Sequence, residues 1–589
     1  MSILIKTIRI AGFRGLENIS VELEKTTILT GMNNTGKTSF LKALQLALGN
    51  RQFISQDDYF IRESSPVSES IIIDLLIVPI GDDNNQCENF SESWEELFTT
   101  DRIRIDGIGE NFVPLRIIIT FDEIRNSYKT QQFILQSWPE FKKDNTNWFD
   151  SENGSKTNFH FDEIPFFYMD AQRDILEDTK LKGSYLGKML SKIEYSENDI
   201  KEIEEQIKLL NEKAVSGSDI LSNIKTVLKE LDTAMDTHSE GIEITPFTKK
   251  IRDLSKGLTI YYTDQHDSFS MEYHGMGTRS WSSLLTLKSF ISLLAINAEK
   301  ERSVFFPILA IEELEAHLHP NAQKKLYGQM EAITGQKIIS THSPYIAATA
   351  KLGQIRNFYK DKTITCGRVE VDDLNDEEIR KIERQVINTR GEIFFSKVIV
   401  FFEGETEEQA LPIFAQKHFD KTPVEMGLDF VGVGGHGNYL PFLRFAEALK
   451  IPWLIFSDGE NKPEKNIKSS VQSQFSNCGS VKNESDCIVF LDDGNDFERQ
   501  LINDGFGNEI KQAIIDQYIC NNEQHKQAKA LEIGNYSDEE LYRIITDSKA
   551  QYSPAIAERI IKSEKDLPQK VINLFSKTAA ILKIQETEV

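Results

Sequence analysis

Gly31-Met32-Asn33-Asn34-Thr35-Gly36-Lys37-Thr38, with Ser39 behind it, is the stretch on which the fold turns. It matches G-x-x-x-x-G-K-[ST], and its context fits that motif. Apolar Thr27–Thr30 runs into it as a strand, and Ser39–Leu48 leaves it as a helix that Gly49 is placed to end. Glycines let backbone N–H groups converge on phosphate oxygens, and the helix N-terminus adds partial positive charge. In this reading Asn33, Asn34, Gly36 and Ser39 belong to the nucleotide cradle. Lys37 reaches the outer phosphates, and Thr38 offers its hydroxyl to Mg²⁺. Upstream, Ile3–Ile10 and Val21–Leu23 read as further strands.

Working outward, Pro307–Ile311 is a continuous apolar run of the kind found in a buried parallel strand, and it ends in Glu312-Glu313. A carboxylate at such an end can hold the magnesium water shell, the role expected of Glu312. Its neighbour Glu313 can polarise the attacking water. A second buried strand, Ile338-Ile339, leads to His342, which can contact the terminal phosphate or serve as an ordinary loop residue. Asn375–Asn388 reads as a capped polar helix bridging to a second α/β unit.

There the buried strand Lys397–Phe402 delivers Glu403-Gly404-Glu405-Thr406-Glu407 to a turn. A glycine loop, Gly434-Gly435-His436-Gly437-Asn438, follows. The strand Trp453–Phe456 ends at Asp458-Gly459-Glu460. Acidic residues at successive strand ends suit a hard divalent cation, because such ions take oxygen ligands and phosphodiester chemistry gains from them.

The chain has 589 residues and a net charge of −25, too long for one core and too acidic to be coated in nucleic acid. DNA contact therefore needs divalent ions and a confined basic groove. The five cysteines are scattered without a C-x-x-C pair, which excludes a zinc-ribbon or thioredoxin site and fits a reducing cytosol. No signal peptide is expected. The most apolar run, Ser282–Ala298, carries Lys288 and reads as a buried helix, so no membrane partner and a cytoplasmic location are expected. Residues 82–158 look polar and irregular, a possible insertion containing strands such as Pro114–Phe121. In Leu186–Met235, Ile200, Ile203, Ile207 and Leu210, then Leu221, Ile224, Leu228 and Leu231, mark a helical hairpin with a narrow apolar seam. It is either a packed surface element or a dimerisation arm.

These motifs carry a family resemblance. Glu312-Glu313-Leu314-Glu315-Ala316-His317-Leu318-His319-Pro320 resembles the EEPEAHLHP stretch of ABC-type repair ATPases, with Leu314 in place of proline and Glu312 in place of the commoner aspartate. His317 and His319 read as structural. Phe13-Arg14 matches the opening of those ATPases. His274–Ser280 is similar to their signature motif in degenerate form. The second unit resembles a Toprim domain, with Asp458-Gly459-Glu460 where D-x-D is usual. An ABC ATPase upstream of Toprim is the architecture of the overcoming-lysogenisation-defect (OLD) nucleases. Phe166–Asp174, with its Arg173-Asp174 pair, and Gly494–Glu498 look like further family segments.

The resemblance implies an α/β chain. It comprises ATPase parts at 1–180 and 246–390, a helical insertion at 181–245, Toprim at 391–510 and C-terminal helices at 511–589. It implies ATP and Mg²⁺ (Mn²⁺ substituting) as cofactors and double-stranded DNA as substrate. The implied Toprim metal ligands are Glu403, Glu407, Asp458, Glu460, Asp496 and Glu498. Lys549 is either the charge-stabilising lysine of the family or a surface lysine. A homodimer or homotetramer is expected, in an anti-phage role of the Gabija or retron type, with a helicase or a retron reverse transcriptase and its RNA/DNA as possible partner. The competing reading is an ATP-driven DNA-binding sensor or scaffold with an inactive Toprim domain.

Overall fold

The computed structural model describes residues 2–49, 54–60, 70–122, 124–141, 148, 154–180, 183–190, 196–222, 261–264, 267–360, 363–371, 374–384, 391–478, 484–518 and 523–582. The chain divides into two compact units. One comprises 1–166, 308–313 and 336–589; the other comprises 167–307 and 314–335.

The first unit opens with an antiparallel sheet in the order Leu16–Glu22, Ser2–Phe13, Ser70–Ile80, Asn111–Asp122, Ser127–Ile134, Ser155–Thr157. Residues 82–158 are thus not an irregular insertion: from Asn111 onward they supply the fourth to sixth of these strands. Polar composition hid this because Ser127–Ile134 and Ser155–Thr157 are exposed or half-buried for most of their length, whereas the strand expected at Pro114–Phe121 is present within Asn111–Asp122. Its Arg116 donates two 2.8 Å hydrogen bonds to Asp74 on the neighbouring strand. Both side chains are almost fully buried.

Five strands of a second sheet lie in the same unit, in the order Ile364–Gly367, Ile355–Lys360, Thr26–Thr30, Gln336–Ser340, Ile308–Ile311. The last four run parallel, so the loops after Thr30, Ser340 and Ile311 open on one edge. Gly31 is obligatory at the first of them. Its φ is +123°, and a Cβ there would stand 2.1 Å from the Phe358 carbonyl oxygen. Helix Lys37–Ala47 follows, with Gly49 in the left-handed region just beyond its end.

The third sheet is wholly parallel, in the order Leu428–Gly432, Val398–Phe402, Trp453–Ser457, Ile488–Phe490. Helices Glu405–Phe419, Phe497–Asn503, Asp538–Asp547, Lys549–Lys562 and Gln569–Leu582 share one hydrophobic core with it, from Val398 to Phe575. Asn375 caps helix Asp376–Ile382 with a reciprocal capping box.

In the second unit, helix Glu197–Ser216 carries the first half of the apolar seam. Ile224, Leu228 and Leu231 lie outside the described residues. The apolar run within helix Met276–Glu301 is buried on one face only. Leu284, Leu287, Phe290 and Ile291 point inward, whereas Leu285, Leu293 and Ile296 are exposed. Among the described residues it is the one helix long and apolar enough to cross a membrane. His319 caps helix Pro320–Glu331, in line with a structural role.

Asp74→Ala would strand the Arg116 guanidinium in the core. We expect a loss of about 3–5 kcal/mol in urea unfolding, and a smaller loss when both partners are replaced by apolar residues of similar volume.

Candidate functional sites

At the nucleotide edge, Lys37 is buried and its ammonium donates to the carbonyls of Gly31 and Met32, at 2.7 and 2.8 Å. The loop thus holds the cation in its own cradle. Asn34 sits in the left-handed region at φ 61°, and Asn33, Asn34 and Thr38 are exposed to an incoming nucleotide. Glu312 is buried at the end of its strand, while Glu313 is exposed and held at φ 44°. A non-glycine residue pays for that conformation, and such strain gathers at functional sites. His342 shares this neighbourhood. Burial lowers its pKa, the Lys37 charge lowers it further, and Glu313 partly opposes both. An imidazole kept neutral beside the phosphate loop can accept or donate a hydrogen bond without adding charge.

In the second unit, Arg279 of the His274–Ser280 stretch ion-pairs with Asp174, its Nε donating at 2.8 Å. Arg173 is buried and donates to the Leu314 carbonyl at 3.0 Å. The two sequence fragments therefore meet, and both halves of the Arg173-Asp174 pair have partners.

The parallel third sheet brings a different set together. Its four strand ends deliver Glu403, the Gly434–Asn438 loop, Asp458 and the Asp492–Glu498 segment to one edge. Gly459 is forced by packing: a Cβ would lie 2.1 Å from the Asp492 carbonyl oxygen. Its N–H donates to the Asn495 carbonyl, and its own carbonyl accepts from Gly494, both at 2.9 Å. These bonds stitch the Asp458-Gly459-Glu460 turn to the next acidic loop.

Each carboxylate is held differently. Glu403 accepts from the Ser457 hydroxyl and from the main chain of His436; burial raises its pKa, and Glu460 nearby adds to the rise. Glu407 is 4 % exposed, and burial followed by the Asp458 charge pushes it up to about 8. Asp458 is pushed up to about 7 by burial, then by Glu403, Asp496 and Glu498. Its Oδ1 is buried and has no hydrogen-bond partner among the described residues. Glu498 is 3 % exposed, accepts from the Thr406 hydroxyl and pairs with Lys549 at 2.9 Å. Burial alone would lower the Lys549 pKa, but Glu498 outweighs it and the ammonium is held up.

Lys549 thus stands at this edge rather than on a remote surface, although it arrives from a helix that begins more than fifty residues after Asp496 in sequence. Asp496 has both oxygens engaged. It caps helix Phe497–Asn503 by accepting from the Arg499 N–H at 2.8 Å, and it accepts from the Tyr542 hydroxyl at 2.8 Å. Sequence reading missed Ser457, Thr406 and Tyr542, whose hydroxyls orient the acids; nothing in their local pattern marks them.

A group of like charges half-buried around an unsatisfied carboxylate oxygen is the donor set a hard divalent cation requires. The side chains do not converge on one point as they stand: no group of three potential ligands at metal-binding spacing occurs among the described residues. Glu403 is bonded to Ser457, and Glu498 to Thr406 and Lys549. Glu403, Glu407, Asp458 and Glu460 are the residues that fit such an ion, with Lys549 and Glu498 beside them.

Two catalytic folds in one polypeptide define the class, an ATPase continued by a Toprim domain. Residues 4–347 match the AAA ATPase domain family, and residues 394–459 match the Toprim domain of overcoming-lysogenization-defect-like proteins. The chain belongs to the AAA ATPase domain family and continues into an OLD-like Toprim domain. It is 22 % identical to an OLD nuclease of Thermus scotoductus, over 78 % of this chain and 83 % of that one. It is 21 % identical to the endonuclease GajA of Bacillus cereus, over 89 % and 84 % respectively. Among solved structures, the C-terminal region of the Burkholderia pseudomallei OLD protein matches at 20 % identity with a TM-score of 0.24, covering 32 % of this chain and 99 % of that one.

Two outcomes follow from this geometry. Lys37→Ala should reduce ATP turnover roughly 100-fold or more, since it removes the one ammonium set among the loop carbonyls, and leave the melting temperature essentially unchanged. The raised carboxylates set a pH dependence. Their folded pKa values lie above the unfolded ones, so the stability they contribute is fully present at low pH and is lost as pH rises through about 7 and 8. Without divalent ions, unfolding followed from about pH 5 to pH 8 should show falling stability. Glu407→Gln should flatten that fall, and excess Mg²⁺ should offset it at the alkaline end.

Proposed function

We propose that this chain is an ATP-hydrolysing, divalent-metal-dependent DNA endonuclease. The observation that carries this reading is that the buried Glu407 and the half-buried Asp458 stand together, with Asp458 Oδ1 buried and unsatisfied and Lys549 beside them. Burying like charges costs several kcal/mol, and an inert scaffold gains nothing from it. A bound cation offsets that cost, so the arrangement favours a working site over an inactive Toprim domain. The relatives named as nucleases agree with this.

The metal would be Mg²⁺, with Mn²⁺ able to substitute as another hard ion, and the substrate double-stranded DNA. A bound ion would neutralise charge on the phosphodiester oxygens. Around it, Glu403, Glu407, Asp458 and Glu460 supply ligands. Glu498 sets the position of Lys549, whose ammonium stabilises charge on the cleaved phosphate. Asp496, capped and hydrogen-bonded at both oxygens, supports the loop.

At the other edge, Gly36, Lys37, Thr38 and Ser39, with Asn33 and Asn34, bind ATP. Glu312 holds the nucleotide's metal, Glu313 activates water and His342 reads the terminal phosphate. The ATPase parts are assigned to 1–180 and 246–390 around a helical insertion at 181–245, and the nuclease to 391–510 with the helices of 511–589. The seam of helix Glu197–Ser216 supports a homodimer or homotetramer. Ile200, Ile203 and Ile207 are half-buried and Leu210 is 52 % exposed, so apolar surface remains for a second copy. An anti-phage role in the cytoplasm, with a helicase or reverse transcriptase partner, is the biological setting we infer from the family resemblance of the two domains.

The test is nicking of supercoiled plasmid in Mg²⁺ or Mn²⁺ with ATP turnover measured on the same preparations. Glu403→Ala and Asp458→Ala should lose cleavage by roughly 100-fold or more while keeping ATPase activity. Glu460→Asp, which restores D-x-D, should keep it. Wild-type cutting by both alanine variants would refute the assignment.

A further inference from the structure

The nuclease edge poses an electrostatic problem. DNA is a polyanion, the chain carries −25, and the edge itself presents several carboxylates. Lys549, paired with Glu498, is assigned to the cleaved phosphate itself. Some other cation must hold the phosphate backbone beside the cut.

Helix Asn461–Cys478 begins at the residue after Glu460. Its buried side is Pro463, Ile467 and Val471, and Lys462, Lys465, Ser469 and Gln472 form an exposed strip on the opposite side. Within it Lys468 is neutralised by Glu464. Lys462 and Lys465 make no ion pair among the described residues. The helix is also tied to the cutting edge. Asn466 Nδ2 lies 3.0 Å from His436 Nδ1, and the main chain of His436 is hydrogen-bonded to Glu403. At 1.5 Å rise per residue, Lys465 is only about 7–8 Å along the chain path from Glu460. Two flexible, strongly hydrated ammonium groups on one helical face are suited to phosphate contacts that carry no sequence information.

We propose that the exposed face of helix Asn461–Cys478 is the DNA-backbone contact of the nuclease, with Lys462 and Lys465 binding phosphates next to the scissile one. This rests on the Toprim edge being the nuclease site, and the test separates the two. Binding of a short DNA duplex is measured across a salt series at a fixed concentration of Ca²⁺, and plasmid nicking and ATP turnover are measured on the same proteins. Lys462→Gln/Lys465→Gln should bind roughly 10-fold or more weakly at low salt, with the slope of log affinity against log salt reduced by about 1.8, two released counterions' worth. Its ATP turnover should stay at the wild-type rate, and Lys462→Arg/Lys465→Arg should restore binding. Lys417→Gln/Lys421→Gln removes the same charge at the far end of helix Glu405–Phe419 and should bind as wild type. Wild-type affinity and slope in the Lys462/Lys465 variant, or an equal loss in the Lys417/Lys421 control, would overturn the proposal. Asp458→Ala should bind DNA without cutting it; if it cuts, the nuclease assignment fails while the binding series still decides the role of the helix.

Discussion

Like charges buried together are the constraint on which the C-terminal half of this molecule depends. Glu407 and Asp458 stand in one another's field, and neither is placed where water could solvate it fully. Much of the surrounding structure moderates that repulsion. Thr406 and Lys549 take up Glu498, Ser457 takes up one oxygen of Glu403, and Ser553 donates to Thr406 at 3.2 Å. Because Lys549 and Ser553 come from the same late helix, the helices after the sheet are required electrostatically as well as for packing. The shared core from Val398 to Phe575 gives that helix its fixed position.

The nucleotide edge is joined to this half by a short piece of chain. His342 lies with its ring centroid 6.2 Å from that of Phe395, and a Cβ on Gly391 would meet the Pro344 carbonyl oxygen at 2.3 Å. The segment Gly391–Phe395 then leads within three residues into the strand that ends at Glu403. The nucleotide edge and the first Toprim strand thus share packed neighbours through Gly391–Phe395.

Much of the fold was legible because its motifs sit at strand ends. The loop at Gly31–Thr38, the pair Glu312-Glu313 and the turns after Phe402 and Ser457 each follow an apolar run, and all four occupy the expected places. The strand at Pro114–Phe121 could be read from the sequence, but its neighbour at 127–134 could not, because its exposed and half-buried side chains lack a two-residue period. Nor could the sequence show which side of Met276–Glu301 faces inward, since apolar residues occur all round that helix. The acids of the nuclease edge could be named, but the hydroxyls that aim them could not. Ser457, Thr406 and Tyr542 are ordinary residues until tertiary packing puts them beside a carboxylate.

The late arrival of Lys549 has a consequence for biosynthesis. Translation supplies the Toprim strands by residue 490, whereas the lysine follows some sixty residues later, a delay of several seconds at typical elongation rates of about 5–20 residues per second. A chain still attached to the ribosome therefore has its strands and acids before the helix that supplies the ammonium and helps close their core. The acids of this edge are thus made first and their cationic partner last.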